Sequence, residues 1–162
     1  MANWKRIGLI SGIGAGVVGI ATYASRLTKA SNNLETVIKA NLHSIKLEGI
    51  TIRIDVQIKN PSSVGFKIKY PFVKVLFKES VVDTSQVIDK VITIPKHGEV
   101  NVEGIMITIP YTGLFSVGAG LLKALSKNEG AVLTIKTIST VDLGWKKLPY
   151  EKTSDITLKS KA

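Results

Sequence analysis

Cysteine is absent, so the chain has no disulfide, thiolate metal site or cysteine nucleophile, and its fold must be held by an apolar core alone. Aromatic residues are scarce at 6%, too few for a platform on which single-stranded bases could stack. Only His43 and His97 could supply an imidazole; His97 falls in a turn and His43 in an early strand, neither paired with a second catalytic group. Arginine is limited to Arg6, Arg26 and Arg53, and this disfavours bidentate, sequence-specific reading of nucleic acid. No HExxH, GxSxG or P-loop spacing occurs. Asp55, Asp83, Asp89, Asp142 and Asp155 are scattered, with no pair spaced for a metal or a glycosidase dyad. The expectation is a protein without enzymatic activity, cofactor or metal.

What the chain has in quantity is lysine and β-branched residues. Its 162 residues carry a net charge of +10, and Ile, Val and Thr number 20, 16 and 13, a composition that predicts a mainly β protein. The clearest signal runs from Ile50 to Lys59, where Ile50, Ile52, Ile54, Val56 and Ile58 alternate with polar residues and predict a strand with one buried face. It ends at Asn60-Pro61-Ser62-Ser63, read as a structural turn because Pro61 fixes φ and lacks a donor. Phe66, Ile68 and Tyr70, then Val73, Val75 and Phe77, predict two short strands. Val87 to Ile94 and Glu99 to Ile109 flank Pro95-Lys96-His97-Gly98, a hairpin signal. Val102 and Ile105 fall on opposite parities, which a bulge at Glu103-Gly104 reconciles. Strands near Leu133 to Leu143 and around Ile156 and Leu158 complete the set, the last at an edge. Between them, Leu114, Val117, Leu121 and Leu125 recur at helical spacing and predict one helix over Thr112 to Asn128, closing an end of the sandwich.

The N-terminal part is different. Ile7 to Ser25 holds no charge over 19 residues, about 28 Å as a helix, bracketed by Lys5 and Arg6 before and Arg26 after, with Trp4 and Tyr23 near its ends. Gly8, Gly12 and Gly16, and Ser11, Ala15 and Gly19, fall at four-residue intervals and would let helices pack closely. Three readings stay open: a retained membrane anchor, a signal peptide cleaved after Thr22-Tyr23-Ala24, and a helix buried in a protein assembly. Gly14 to Gly19 formally satisfies GxGxxG, but no strand precedes it, so dinucleotide binding is set aside. The expected organisation is therefore residues 1–33 as hydrophobic helix and linker and residues 34–162 as the β domain.

Lys67, Lys69, Lys74 and Lys78 lie on adjacent predicted strands. They make either a solvated face that discourages edge-to-edge pairing or a basic face drawn to anionic head groups or packaged nucleic acid.

The strand ending in Ile58-Lys59-Asn60-Pro61-Ser62, the lysine-studded strands, the hairpin into Val102 to Pro110, the helix and two final strands together resemble the group-2 late embryogenesis abundant (LEA-2) proteins. Their module is called the water-stress and hypersensitive-response (WHy) domain. The resemblance covers roughly Leu34 to Leu158; where the family pattern often continues Asn-Pro-Asn, this chain has Ser62. It implies an antiparallel seven-stranded β-sandwich of immunoglobulin or fibronectin III type with one inserted helix, no catalytic residues, and a protective role in stress. Asn60 and Pro61 match its turn, and several plant relatives carry an N-terminal membrane segment.

The leading expectation is thus a membrane-anchored, non-enzymatic module that binds or protects something near a bilayer, with membrane lipids as partners and self-association through the N-terminal helix. The alternative is a structural component of a virion or other assembly, its glycine rows packed against neighbouring subunits and its basic domain facing membrane or nucleic acid.

Overall fold

In the computed structural model, which describes residues 25–114, 118–127 and 130–158, the chain folds mainly as antiparallel β-sheet. Helical residues 25–32 (α1) lead into β1 (Glu35–Lys46), β2 (Gly49–Asn60), β3 (Phe66–Lys69), β4 (Phe72–Phe77), β5 (Ser80–Thr84), β6 (Val91–Ile94) and β7 (Gly98–Pro110). Two short helices, α2 (Tyr111–Leu114) and α3 (Gly118–Ser126), then precede β8 (Ala131–Asp142) and β9 (Lys147–Leu158). One sheet has the order β1-β2-β7; in the other, β8 pairs with β9 on one side and with β3 and β4 on the other, and these pair with β6 and β5.

Alternation decides which faces meet. Ile50, Ile52, Ile54 and Ile58 of β2 are fully buried, as are Val73 and Val75 of β4 and Leu133 and Ile135 of β8, so both sheets contribute to a single core. β-branched side chains suit this pleated, close-packed interface. Leu121 and Leu125 of α3 close the core at one end, as their helical spacing predicts. The expected single helix over Thr112 to Asn128 is described as two stretches, and residues 115–117 and 128–129 lie outside the described residues.

Among the described residues nine strands are present, where the resemblance implied seven. β3 and β4 lie end to end along β8, with Ile68 opposite Val141 and Phe72 opposite Ile138, and Tyr70-Pro71 interrupts them. β5 and β6 lie end to end beside them, so two pairs of strands share two positions. The strand expected over Val87 to Ile94 is accordingly shortened to β6. Ser85 to Lys90 runs opposite Pro71, which has no N–H for a ladder; the pairing is reduced to Tyr70 N–H on the Lys90 carbonyl at 2.7 Å and the exchanges of Ser85 with Val73.

The bulge at Glu103-Gly104 is present. Ile54 faces Ile105 while Val56 faces Val102, Gly104 adopts φ +73°, and its N–H donates to Asp55 Oδ1 at 2.8 Å. No helix among the described residues is long and apolar enough to cross a membrane; Ile7 to Ala24 lies outside them.

The registers fix two ends. The β2–β3, β6–β7 and β8–β9 connections and α1 gather at one, hereafter the lower end, while the β1–β2 and β4–β5 turns and α3 gather at the other.

Candidate functional site

At the lower end the expected structural turn becomes a buried polar joint. Asn60 is 1% exposed although it closes a strand. Its amide donates to the carbonyls of Val64 at 2.7 Å and Pro95 at 2.9 Å, and its Oδ1 accepts from the Ser62 hydroxyl at 2.6 Å and the Ser62 N–H at 3.1 Å. Every hydrogen-bonding capacity of the side chain is therefore used, the condition under which a buried amide stabilises a fold. The Ser62 hydroxyl also accepts from the Val64 N–H at 3.3 Å, so the serine that departs from the Asn-Pro-Asn pattern completes the turn itself. His97, at φ +48°, donates its backbone N–H to the Ser62 carbonyl at 2.9 Å and sets Nδ1 3.0 Å from the Pro61 carbonyl. The β2–β3 and β6–β7 connections are thereby stapled together, with His97 held against the backbone of Pro61 and Ser62.

Beside this joint, the β8–β9 turn is closed by Leu143 N–H on the Lys146 carbonyl at 2.9 Å, and Gly144 N–H donates to Asp142 Oδ1 at 2.8 Å. Gly144 takes φ +87°, and the turn holds Trp145 out at its tip. Leu27 of α1 lines one groove with Val64, Phe66, Lys67, Leu143 and Gly144, which places the start of α1 against this turn. Leu27, Ala30 and Leu34 belong to the core, and Tyr150 ties the same region down by hydrogen bonds to Thr36 and to the Leu34 carbonyl. Burial raises the Tyr150 hydroxyl above its ordinary value, and the hydrogen bond from Thr36 offsets that only in part.

The four lysines of the predicted basic face are only partly brought together. Lys67, Lys69 and Lys74 share the outer face of the larger sheet, while Lys78 lies in the β4–β5 turn with Nζ 5.4 Å from the Phe77 ring centroid. Acidic residues are interleaved: Lys69 pairs with Asp89 at 3.2 Å, Lys67 stands in register with Asp142, and Lys136, opposite Lys74, pairs with Glu151 at 2.7 Å. Exposed pairs of this kind contribute little to stability, but they break the continuity of positive charge.

Cationic residues without an ion pair among the described residues occur at both ends, Lys46 and Lys78 at the α3 end and a group around the β8–β9 turn at the lower end, where Lys147 stands in register with Asp142. Lys96, Lys146 and Lys147 are exposed there and have no ion pair among the described residues, as does Arg26 on α1. The sequence signal for this cluster is the run Gly144-Trp145-Lys146-Lys147 between two strands. Trp4, Lys5, Arg6, Gly8, Gly12, Gly16, Gly19 and Tyr23, the proposed anchor and packing residues, lie outside the described residues. Among the described residues no group of three His, Asp or Glu is placed to hold a metal ion.

No family model matches this sequence, and no curated protein matches it. Among solved structures, a protein from Archaeoglobus fulgidus is similar with a TM-score of 0.53 at 11% identity, over 80% of this chain and 99% of that one. A protein from Arabidopsis thaliana gives 0.47 at 13% identity, over 80% of this chain and 84% of that one. A protein described as late embryogenesis abundant gives 0.45 at 15% identity, over 96% and 87%. The first of these likenesses shows that the architecture is one already seen; at such identity it speaks to fold alone.

Proposed function

We propose that this chain is a non-enzymatic β-sandwich module of the LEA-2 type, tethered to a membrane by the segment Ile7 to Ser25 and acting as a binding or protective domain beside it. The observation that carries the tether is the way α1 enters the fold: Leu27, Ala30 and Leu34 are buried in the core, so the apolar segment continues into the packed body through a fixed helix. The order of elements supports the family reading. β2 ends at Asn60-Pro61, lysine-bearing β3 and β4 follow, then a hairpin into β7, a helical region and two final strands. A sandwich so assembled offers surfaces for contact.

Liposome flotation tests the reading. Full-length protein should float and stay with the vesicles after alkaline carbonate, and a variant lacking residues 1–24 should not. The deletion stops before Ser25 because Leu27 belongs to the core. Full-length protein that stays at the bottom of the gradient would reject the tether and return the glycine rows to packing within a protein assembly such as a virion.

A further inference from the structure

Trp145 is 56% exposed at the tip of a turn whose two hydrogen bonds hold the backbone in one shape. An indole displayed on a rigid tip, with Lys146 and Lys147 directly after it, combines the ring that favours the head-group level of a bilayer with the charge that is drawn to anionic lipid. Lys67 lines the adjoining groove, where Asp142 is the one acidic lining residue, and Lys96 is exposed on the neighbouring turn. The groove also includes Leu27, so the chain leaves the described structure at residue 25 beside this same turn, toward its apolar segment. We propose that the lower end is a docking surface for an anionic lipid head-group layer, with Trp145 seated in the interface and Lys67, Lys96, Lys146 and Lys147 facing the phosphates. The inference rests on the membrane tether of the preceding section and adds an orientation to it: the sandwich stands with its lower end on the bilayer and its α3 end away from it.

The test uses the full chain carrying Trp4→Phe, which leaves Trp145 as the sole tryptophan. It is mixed with brominated phosphatidylcholine vesicles, with or without phosphatidylglycerol, and flotation and Trp145 emission are read on the same sample. Docking predicts blue-shifted, quenched emission on the anionic vesicles and weaker quenching on the neutral ones. Quenching should fall as ionic strength rises from about 0.1 to 1 M and the screening length shrinks from about 10 to 3 Å. Adding Lys146→Glu and Lys147→Glu should remove most of the quenching while flotation persists. Flotation on anionic vesicles with water-like, unquenched Trp145 would overturn the docking and leave the tether standing. Failure to float, with unquenched Trp145, would overturn both. Quenching equal on the two vesicle types and indifferent to the charge reversals would reject the anionic partner, as would a mixed-sequence DNA duplex that protects Trp145 where the vesicles do not.

Discussion

The amide of Asn60 lies 2.9 Å from the carbonyl of Pro95, 35 residues further along the chain, and joins the turn after β2 to the hairpin before β7. Because that amide is buried with all its bonds made, its removal leaves the Ser62 N–H without its acceptor and takes the amide donor from the carbonyls of Val64 and Pro95, which keep only the Ser62 hydroxyl at 3.0 Å and the Gly98 N–H at 3.3 Å. Asn60→Ala should therefore cost about 2–4 kcal/mol, from roughly 1 kcal/mol for each amide hydrogen bond lost and roughly 1–3 kcal/mol for the N–H left unpaired. Ser62→Ala, which removes one hydroxyl, should cost about 1 kcal/mol. Chemical denaturation of the two variants against the parent reads the difference; equal costs would remove Asn60 from its central place.

Two glycines at positive φ, Gly49 at +156° and Gly104 at +73°, differ in steric demand. A Cβ on Gly49 would sit 2.2 Å from the Ile109 carbonyl oxygen, a backbone atom that cannot swing aside, whereas a Cβ on Gly104 meets nothing within 4 Å. Gly104→Ala should thus cost about 1–2 kcal/mol for holding a side chain at positive φ, and Gly49→Ala should cost more because β2 and β7 must separate. The order of thermal midpoints checks this.

Leu27 sets where the chain can be cut. Leu27→Ala should lose about 2–5 kcal/mol, the range for emptying a buried leucine site. In melting experiments, deletion of residues 1–24 should leave the midpoint close to that of the full chain, and deletion of residues 1–29 should lower it.

Tyr150 gives a prediction in pH. Its pKa is raised above 10.0 in the folded chain, so the folded state holds the proton more tightly than the unfolded one. The stability this contributes is complete below about pH 10, the unfolded value, and is lost as pH climbs through the folded value. Tyr150→Phe should cost about 1 kcal/mol at neutral pH by leaving Thr36 and the Leu34 carbonyl short of a partner. The gap in melting temperature between parent and variant should narrow above pH 10, and a difference absorbance titration should place Tyr150 above that value.

The local features of this fold were legible in its residues. Strict alternation gave β2, the change of parity between Val102 and Ile105 gave the bulge at Gly104, and Pro95 to Gly98 gave the β6–β7 turn, because each depends on neighbours in sequence. What was hidden depends on distant partners. Val87 and Ile88 looked like strand residues, yet the facing Pro71 denies them a ladder. Lys69 looked free, but Asp89 answers it from 20 residues away. Asn60 looked like an ordinary turn residue; its burial follows only once Pro95 is brought over it.

The pairing of β2 with β7 also sets an order in time. During synthesis the β1–β2 hairpin emerges with the far edge of β2 unpaired, and the strand that covers that edge is complete only when Pro110 has followed. At about 5–20 residues per second that wait lasts roughly 3–10 s. For that interval Arg53, Asp55 and Lys59 on the polar face of β2 are the hairpin's main protection against a passing strand. The most exposed moment in the life of this protein therefore comes before it is finished.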